Sequence, residues 1–296
     1  MSLMNFLSKK RADARAGSGP NSYPVEGCVL TDVGCVRDEN QDSVLLVRGG
    51  CGSAGEPLGS LLIVADGMGG HRGGSTASRT AVECIRDYYT AHCHGTPQSV
   101  LAGAVRAANQ AIQALAARHP EYQGMGTTVS VLLLQGDRAF VAHVGDSRIY
   151  RLRDGQLQQL TQDHTVVAEM LQAGLISAEQ ARAHPDRNLI SRAVGTRPQV
   201  EAQVGAMEGE IRPGDRFLAC SDGLHDLVRE DELAATLASR EAYAACVSLI
   251  EMAKARSGHD NISVGILEVA SPRVGRADPR ATRAVPATRP ARFLIR

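Results

Sequence analysis

The runs TTVSVLLLQ (127–135), RAFVAHV (138–144), SRIYRLR (147–153) and QLQQL (156–160) follow one another with very few residues between them. Each is short and rich in β-branched or apolar residues, the composition of a strand. Gly136-Asp137 and Asp154-Gly155 stand between them, and such pairs favour the backbone of tight hairpin turns. Strands joined by hairpins, with helices kept apart from them, predict an α+β layered fold and not a doubly wound one.

On either side of this block the pattern changes period. LLIVAD (61–66) is an apolar run ending in an acid, as expected of a buried strand that delivers a carboxylate at its tip. The stretch 73–90 sets Ala77, Ala81, Cys84, Ile85 and Tyr88 on one helical face. A second helix over 97–118 does the same with Leu101, Val105, Ala108, Ile112 and Leu115. Downstream, helical stretches are expected at 163–173, stopping at Gly174, and at 177–183. RFLAC (216–220), helices near 230–239 and 241–255, and the strand ISVGILEV (262–269) complete the pattern. Two helices before the strand block and two near the end suit a pair of sheets covered on both outer faces.

The chain has 296 residues, 43% of them apolar, enough for a substantial core in one domain over about 23–270. Residues 1–22 are polar, basic and punctuated by Gly, Ser and Pro, the composition of a flexible leader. Residues 271–296 carry seven arginines against one acid and read as a flexible Arg/Pro/Ala-rich tail, with a docking tip at Phe293-Leu294-Ile295. Lys+Arg and Asp+Glu both total 32, so no overall charge argues for nucleic acid or an anionic membrane. The seven cysteines are scattered, odd in number and never spaced CxxC, which argues against a zinc site or a disulfide framework. With no signal peptide and no apolar run long enough to span a bilayer, a cytoplasmic protein is expected.

The acids carry the chemistry. Asp42, Asp66, Asp146, Asp222 and Asp260 each fall in a loop or at a strand end. Four of them sit in the contexts Asp66-Gly67-Met68-Gly69-Gly70, Gly145-Asp146-Ser147, Ser221-Asp222-Gly223 and Gly258-His259-Asp260-Asn261. For any single Asp-Gly pair a plain turn is the ordinary reading. Together they suggest carboxylates converging from distant parts of the chain, and these repel one another unless a cation joins them. Oxygen ligands without paired Cys or His select hard ions such as Mg²⁺ or Mn²⁺.

Arg37-Asp38-Glu39-Asn40-Gln41-Asp42, Val64-Ala65-Asp66-Gly67-Met68-Gly69-Gly70, Gly126-Thr127-Thr128, His143-Val144-Gly145-Asp146-Ser147-Arg148, Ser221-Asp222-Gly223 and Asp260-Asn261 stand in the order seen in the PPM (type 2C) protein phosphatases. The sequence resembles the bacterial branch of that family over about residues 25–269. The resemblance implies a four-layer α-β-β-α sandwich, two antiparallel sheets flanked by helices, with metals at one end. It implies a protein serine/threonine phosphatase in which metal-bound hydroxide attacks phosphoserine or phosphothreonine. Asp66 would bridge two Mn²⁺ or Mg²⁺ ions and the Gly67 carbonyl would bind one of them. Asp222 and Asp260 would complete the first ion's shell, and Asp42 would serve the second, directly or through a water. Asp146 with Asp222 matches a third metal position of bacterial members. Arg37, with its fixed bidentate fork, would hold the substrate phosphate. The implied partners are phosphoproteins and a bacterial Ser/Thr kinase with its substrates, in signalling, with the phosphatase itself a monomer.

The chain departs from some relatives in having Met68 where they carry a proton-donating His. His71 stands three residues on but reads first as a surface or structural histidine, and a metal-bound water could supply the proton instead. By the same resemblance 165–187 is a flap beside the site, and Arg192 is structural. His92, His94, His119, His184, His225 and His259 have no ligand spacing and read as solvated. Two rival readings are a non-catalytic phosphoprotein-binding relative, which the presence of Asp66, Asp222 and Asp260 argues against, and a hydrolase of small phosphoesters. A nucleic-acid module built on the Arg-rich tail is weaker still, since tethering to an acidic partner or solvation accounts for the tail.

Overall fold

The computed structural model describes residues 23–51, 57–69, 73–92 and 95–271. The leader, nearly all of the tail with its Phe293 tip, Gly70, His71 and His94 lie outside them. The strands are β1 (Val25–Asp32), β2 (Asp42–Val47), β3 (Gly50–Cys51), β4 (Pro57–Leu58), β5 (Ser60–Met68), β6 (Gly126–Thr127), β7 (Val129–Gln135), β8 (Arg138–Val144), β9 (Arg148–Arg153), β10 (Gln156–Gln159), β11 (Gln203–Ala206), β12 (Arg216–Cys220) and β13 (Ile262–Val269). The helices are α1 (Gly73–Ala91), α2 (Pro97–Arg118), α3 (Val166–Gln172), α4 (Ala178–Arg182), α5 (Asp222–His225), α6 (Glu230–Ser239) and α7 (Ala242–Ala255). None of the described helices is long and apolar enough to cross a membrane.

Two antiparallel sheets face each other, one ordered β1-β13-β12-β9-β10 and the other β11-β8-β7-β5-β2, with β6 appended to β5. The period of two along each strand sorts side chains into layers. On β5, Leu61, Ile63 and Ala65 pack beneath α1 and α2, among Ala77, Ala81, Ile85, Leu101 and Val105. Leu62 and Val64, the alternating residues, point the other way and meet Ile149, Phe217, Ala219 and Leu267 of the opposite sheet. On β12, Leu218 and Cys220 turn outward to Leu233, Leu237 and Leu249 of α6 and α7. A strand buried on both faces must be apolar at every position, which is why these strands read as unbroken hydrophobic runs. The four-layer α-β-β-α sandwich is the result.

The strand block is not one meander. β7–β8 and β9–β10 are hairpins, and Asp154 and Gly155 turn the second with φ of +50° and +78°, as a tight hairpin turn requires. Between β8 and β9, however, the chain leaves one sheet for the other. The corner is Gly145-Asp146-Ser147, where Gly145 has φ +109° and a Cβ would stand 2.6 Å from Thr128. Short spacing between strands fits a corner as well as a hairpin, and which one forms depends on the faces that must be buried. The sequence pattern also left β1, β2 and β11 unmarked. β1 and β11 are sheet edges, and β2 and β11 are half-buried along most of their length.

Candidate active site

The ends of several strands meet at one edge of the sandwich. Asp42 opens β2 and Asp66 lies near the end of β5, directly opposite each other in the ladder. Two carboxylates facing across a strand pair repel. Asp222 follows β12 as the first residue of α5, and Asp260 precedes β13 by two residues. Asp146 sits in the sheet-to-sheet corner. The structure thus gathers all five aspartates from segments far apart in the chain.

Their surroundings are electrostatically unfavourable. Asp42 and Asp146 are buried, 8% and 4% exposed. Burial pushes the Asp42 carboxyl up to about 7, and the charges of Asp222 and Asp260 push the same way. Burial and the neighbouring Asp222 raise Asp146 to about 7. Asp66 is raised well above the ordinary range by burial first, then by Asp42, Asp222, Asp146 and Asp260. Asp222 is raised by burial, and the nearby His225 opposes this.

Hydrogen bonding leaves specific atoms over. Ser221 Oγ donates to Asp42 Oδ2 at 2.7 Å, but Asp42 Oδ1 has no partner. Asp146 Oδ1 and Asp222 Oδ1 are likewise buried and unpartnered. Buried polar atoms without partners are rare because each forfeits its hydration. Several such oxygens on adjacent carboxylates form an oxygen-only donor set that fits a hard divalent cation. Among the described residues, no three acidic or ligating side chains close around one point as they stand. The fit therefore rests on unpartnered oxygens and mutual repulsion rather than on a finished cage.

The backbone around these groups is held tightly. A Cβ on Gly67 would lie 2.1 Å from the Gly74 carbonyl oxygen and 2.5 Å from that of Gln41, so only glycine fits. Asn261 clamps the segment that carries Arg37. Its Nδ2 donates to the carbonyls of Val33 and Glu39, both at 3.0 Å, and its Oδ1 accepts from Gln41 N–H at 2.8 Å. Arg37 Nη2 donates to Asp260 Oδ2 at 2.8 Å with its side chain 56% exposed.

Beneath Asp66 and Asp146 runs a buried hydroxyl network. Asp66 N–H donates to Thr128 Oγ1 at 2.9 Å, and Thr128 Oγ1 lies 2.7 Å from Ser147 Oγ. Ser130 Oγ donates to the Ser147 carbonyl at 3.0 Å, and the Gly145 N–H donates to His164 Nδ1 at 3.1 Å. The corner bearing Asp146 is thereby fixed on both sides.

Ser221, Thr128, Asn261 and His225 also belong to the site, although their sequence contexts alone do not mark them. His225 corrects the expectation of a solvated histidine: its side chain is 4% exposed, and its Nε2–H donates to the Asp146 carbonyl at 3.0 Å. It stands three residues after Asp222, the only sequence signal that could have drawn notice. Met68 pairs with Gly126 at the end of β5, and His71 lies outside the described residues. The segment 165–187 is fastened at its base, where Val166 N–H donates to the Leu189 carbonyl at 2.9 Å. Asn188 Nδ2 ties the same region to Asp226 Oδ2 at 2.9 Å, next to the helix that begins at Asp222. Arg192 lies 3.6 Å from Glu169.

Comparison with known proteins points one way. Residues 37–254 match the family model described as protein phosphatase 2C. The serine/threonine protein phosphatase PstP of Mycobacterium tuberculosis is 39% identical over 255 residues, 86% of this chain and 47% of that protein. The chain therefore spans just under half the length of that relative. The protein phosphatase PhpP of Streptococcus pneumoniae is 35% identical over 249 residues, 83% of this chain and 98% of that one. Among solved structures, the catalytic domain of the serine threonine protein phosphatase PstP in complex with two manganese ions superposes with a TM-score of 0.72 at 36% identity. It covers 83% of this chain and 99% of that one.

Proposed function

The chain belongs to the protein phosphatase 2C family, and from that membership we propose that it is a metal-dependent protein serine/threonine phosphatase that removes phosphate from phosphoserine and phosphothreonine. The observation that carries the reading is the set of unpartnered, buried carboxylate oxygens on Asp42, Asp146 and Asp222, gathered beside Asp66 at one end of the sandwich. A chain that buries such atoms against one another has a use for a cation.

In this proposal Asp66, the Gly67 carbonyl, Asp222, Asp260 and Asp42 would hold Mn²⁺ or Mg²⁺ ions, and Asp146 with Asp222 would offer a further position. When bound, such ions make water nucleophilic at neutral pH and offset charge on the phosphoryl oxygens.

The chain's own groups do the rest. Arg37, half exposed, would exchange its bond to Asp260 for a bidentate grip on the substrate phosphate. Ser221 holds Asp42 through one oxygen and so aims the other into the site. His225 fixes the Asp146 corner from its carbonyl side. The hydroxyls of Thr128 and Ser147 keep the Asp66 and Asp146 backbones in register. The partners are phosphoproteins, and a Ser/Thr kinase acting on the same substrates is the opposing enzyme.

The test is hydrolysis of a phosphothreonine peptide with and without Mn²⁺, wild type against Asp66→Asn. Activity that needs metal and collapses in the variant supports the reading. A wild type that binds the phosphopeptide but releases no phosphate at millimolar Mn²⁺ overturns it and leaves a phosphoprotein-binding relative.

A further inference from the structure

We propose that Cys28 and Cys246 form a peroxide-responsive thiol pair that closes into a reversible disulfide between β1 and α7. The two residues are 218 positions apart in sequence, and nothing in their spacing suggests a pair. Folding lays α7 across β1 and β13, and Cys28 joins the helix-facing cluster in which Cys246 is buried. The Cys246 Sγ–H points at the Cys28 carbonyl oxygen, 3.9 Å away, and the Cys28 Sγ–H lies 3.9 Å from the Val29 carbonyl oxygen. A sulfur that close to its partner's own backbone lies within side-chain reach of that partner's sulfur.

The thiols are unequal in a way that suits sequential chemistry. Contact with the Cys246 thiol, helped by the positive charge of Arg48, lowers the Cys28 thiol to about 7 against the opposing effect of partial burial. The same contact, with burial, pushes Cys246 up and keeps it protonated. Cys28 is only half-buried while Cys246 is buried, so a peroxide reaches Cys28 first, and Cys28 is the attacking sulfur and Cys246 the resolving one. Among the other described thiols, Cys220 is buried and raised to about 12, and burial also raises Cys84. Cys35 is the exposed one.

The balance is simple. The Cys28 thiolate attacks one oxygen of a hydroperoxide, the O–O bond breaks, and Cys28 becomes a sulfenic acid while an alcohol or water leaves. The Cys246 sulfur then attacks the Cys28 sulfur and displaces water. Two electrons pass from the thiols to the peroxide, and the thiol protons end in the released alcohol and water. Closure ties β1, which leads into the Arg37 segment, to α7, which leads into Asp260. It also constrains the unfolded chain through a very long loop, so the oxidised protein melts at a higher temperature.

The experiment uses the full chain, reduced and then treated with stoichiometric hydrogen peroxide at pH 7.5, alkylated, digested and analysed by mass spectrometry. A Cys28–Cys246 cross-linked peptide that disappears with dithiothreitol, and is not formed in urea, is the expected result. In Cys246→Ser, dimedone should trap Cys28 as the sulfenic acid, ahead of exposed Cys35; Cys35→Ser should leave the cross-link intact. Recovery of Cys28 and Cys246 both alkylated while Cys35 is oxidised would overturn the proposal, as would a Cys28 that dimedone never labels in Cys246→Ser.

Discussion

Asp215 and Asp42 are both buried aspartates near strand ends, and the fold treats them oppositely. Asp215, 1% exposed, accepts from Arg153 Nε at 2.6 Å and Nη2 at 2.5 Å and from the Arg212 N–H at 2.8 Å. Its charge is neutralised within the chain. Asp42 receives one hydroxyl, has its other oxygen unpartnered and faces further carboxylates. Asp163 resembles Asp215, being held by Arg148 through Nε and Nη2, while Asp146 and Asp222 resemble Asp42. A carboxylate completed by the chain supports the fold. One left incomplete is stabilised only by something from outside, and on the proposed reading that difference separates structural acids from metal-holding ones.

The comparison can be broken most forcefully at the structural end. Asp215→Ala leaves Arg153 without its buried partner and should cost about 3–5 kcal/mol of stability, read by urea unfolding, with metal affinity unchanged in the protein that remains folded. Asp66→Asn should do the reverse. Phosphatase activity should fall by about 10²–10³-fold, the scale of losing one electrostatic stabiliser of a transition state. The metal-free melting temperature should equal or exceed that of wild type, because a repelling charge is gone. A variant that is inactive and also strongly destabilised would place Asp66 with Asp215 and sink the distinction.

A smaller effect is expected one step out. Ser221→Ala removes the hydroxyl that donates to Asp42 and accepts from Ser263 N–H at 3.0 Å. It should raise the Mn²⁺ concentration for half-maximal activity about 10-fold, the lower end for groups that orient metal ligands.

The mildest test is pH. Asp42 and Asp146 are raised in the folded chain from 3.8 to about 7, so between those values the folded state binds more protons than the unfolded one. The stability of the metal-free protein therefore falls as pH rises through that window. Saturating Mn²⁺ should flatten or reverse the slope, and chemical denaturation at pH 5 and pH 7.5 with and without metal would show it. A metal-free protein equally stable at both values would mean these carboxylates are hydrated and not in conflict.

Much of this was legible from residues alone. Apolar runs such as LLIVAD and ISVGILEV announced strands covered on both faces, and β13 spans Ile262–Val269 as expected. The helix over 97–118 formed at its expected bounds, with Thr96 accepting from the Ser99 N–H at its start. The acids at strand tips were visible because an aspartate interrupting or ending a hydrophobic run is conspicuous. Less legible were the half-buried strands β1 and β2, where alternation is weak, and His225, whose place depends on an α5 only four residues long.

Alternation and apolar content along the chain are enough to specify the layers, since they decide which faces must be buried. The residue types also determine the kind of ion the acids would suit, since oxygen donors carry that preference wherever they stand. Folding in three dimensions settles that the chain changes sheets at Gly145-Asp146-Ser147, which aspartates arginines complete and which are left with bare oxygens, and that Cys28 lies against Cys246. Those outcomes depend on distance and burial between groups remote in sequence. Coulomb interactions, desolvation and thiol contact act through space, and the order of residues along the chain does not encode them one segment at a time.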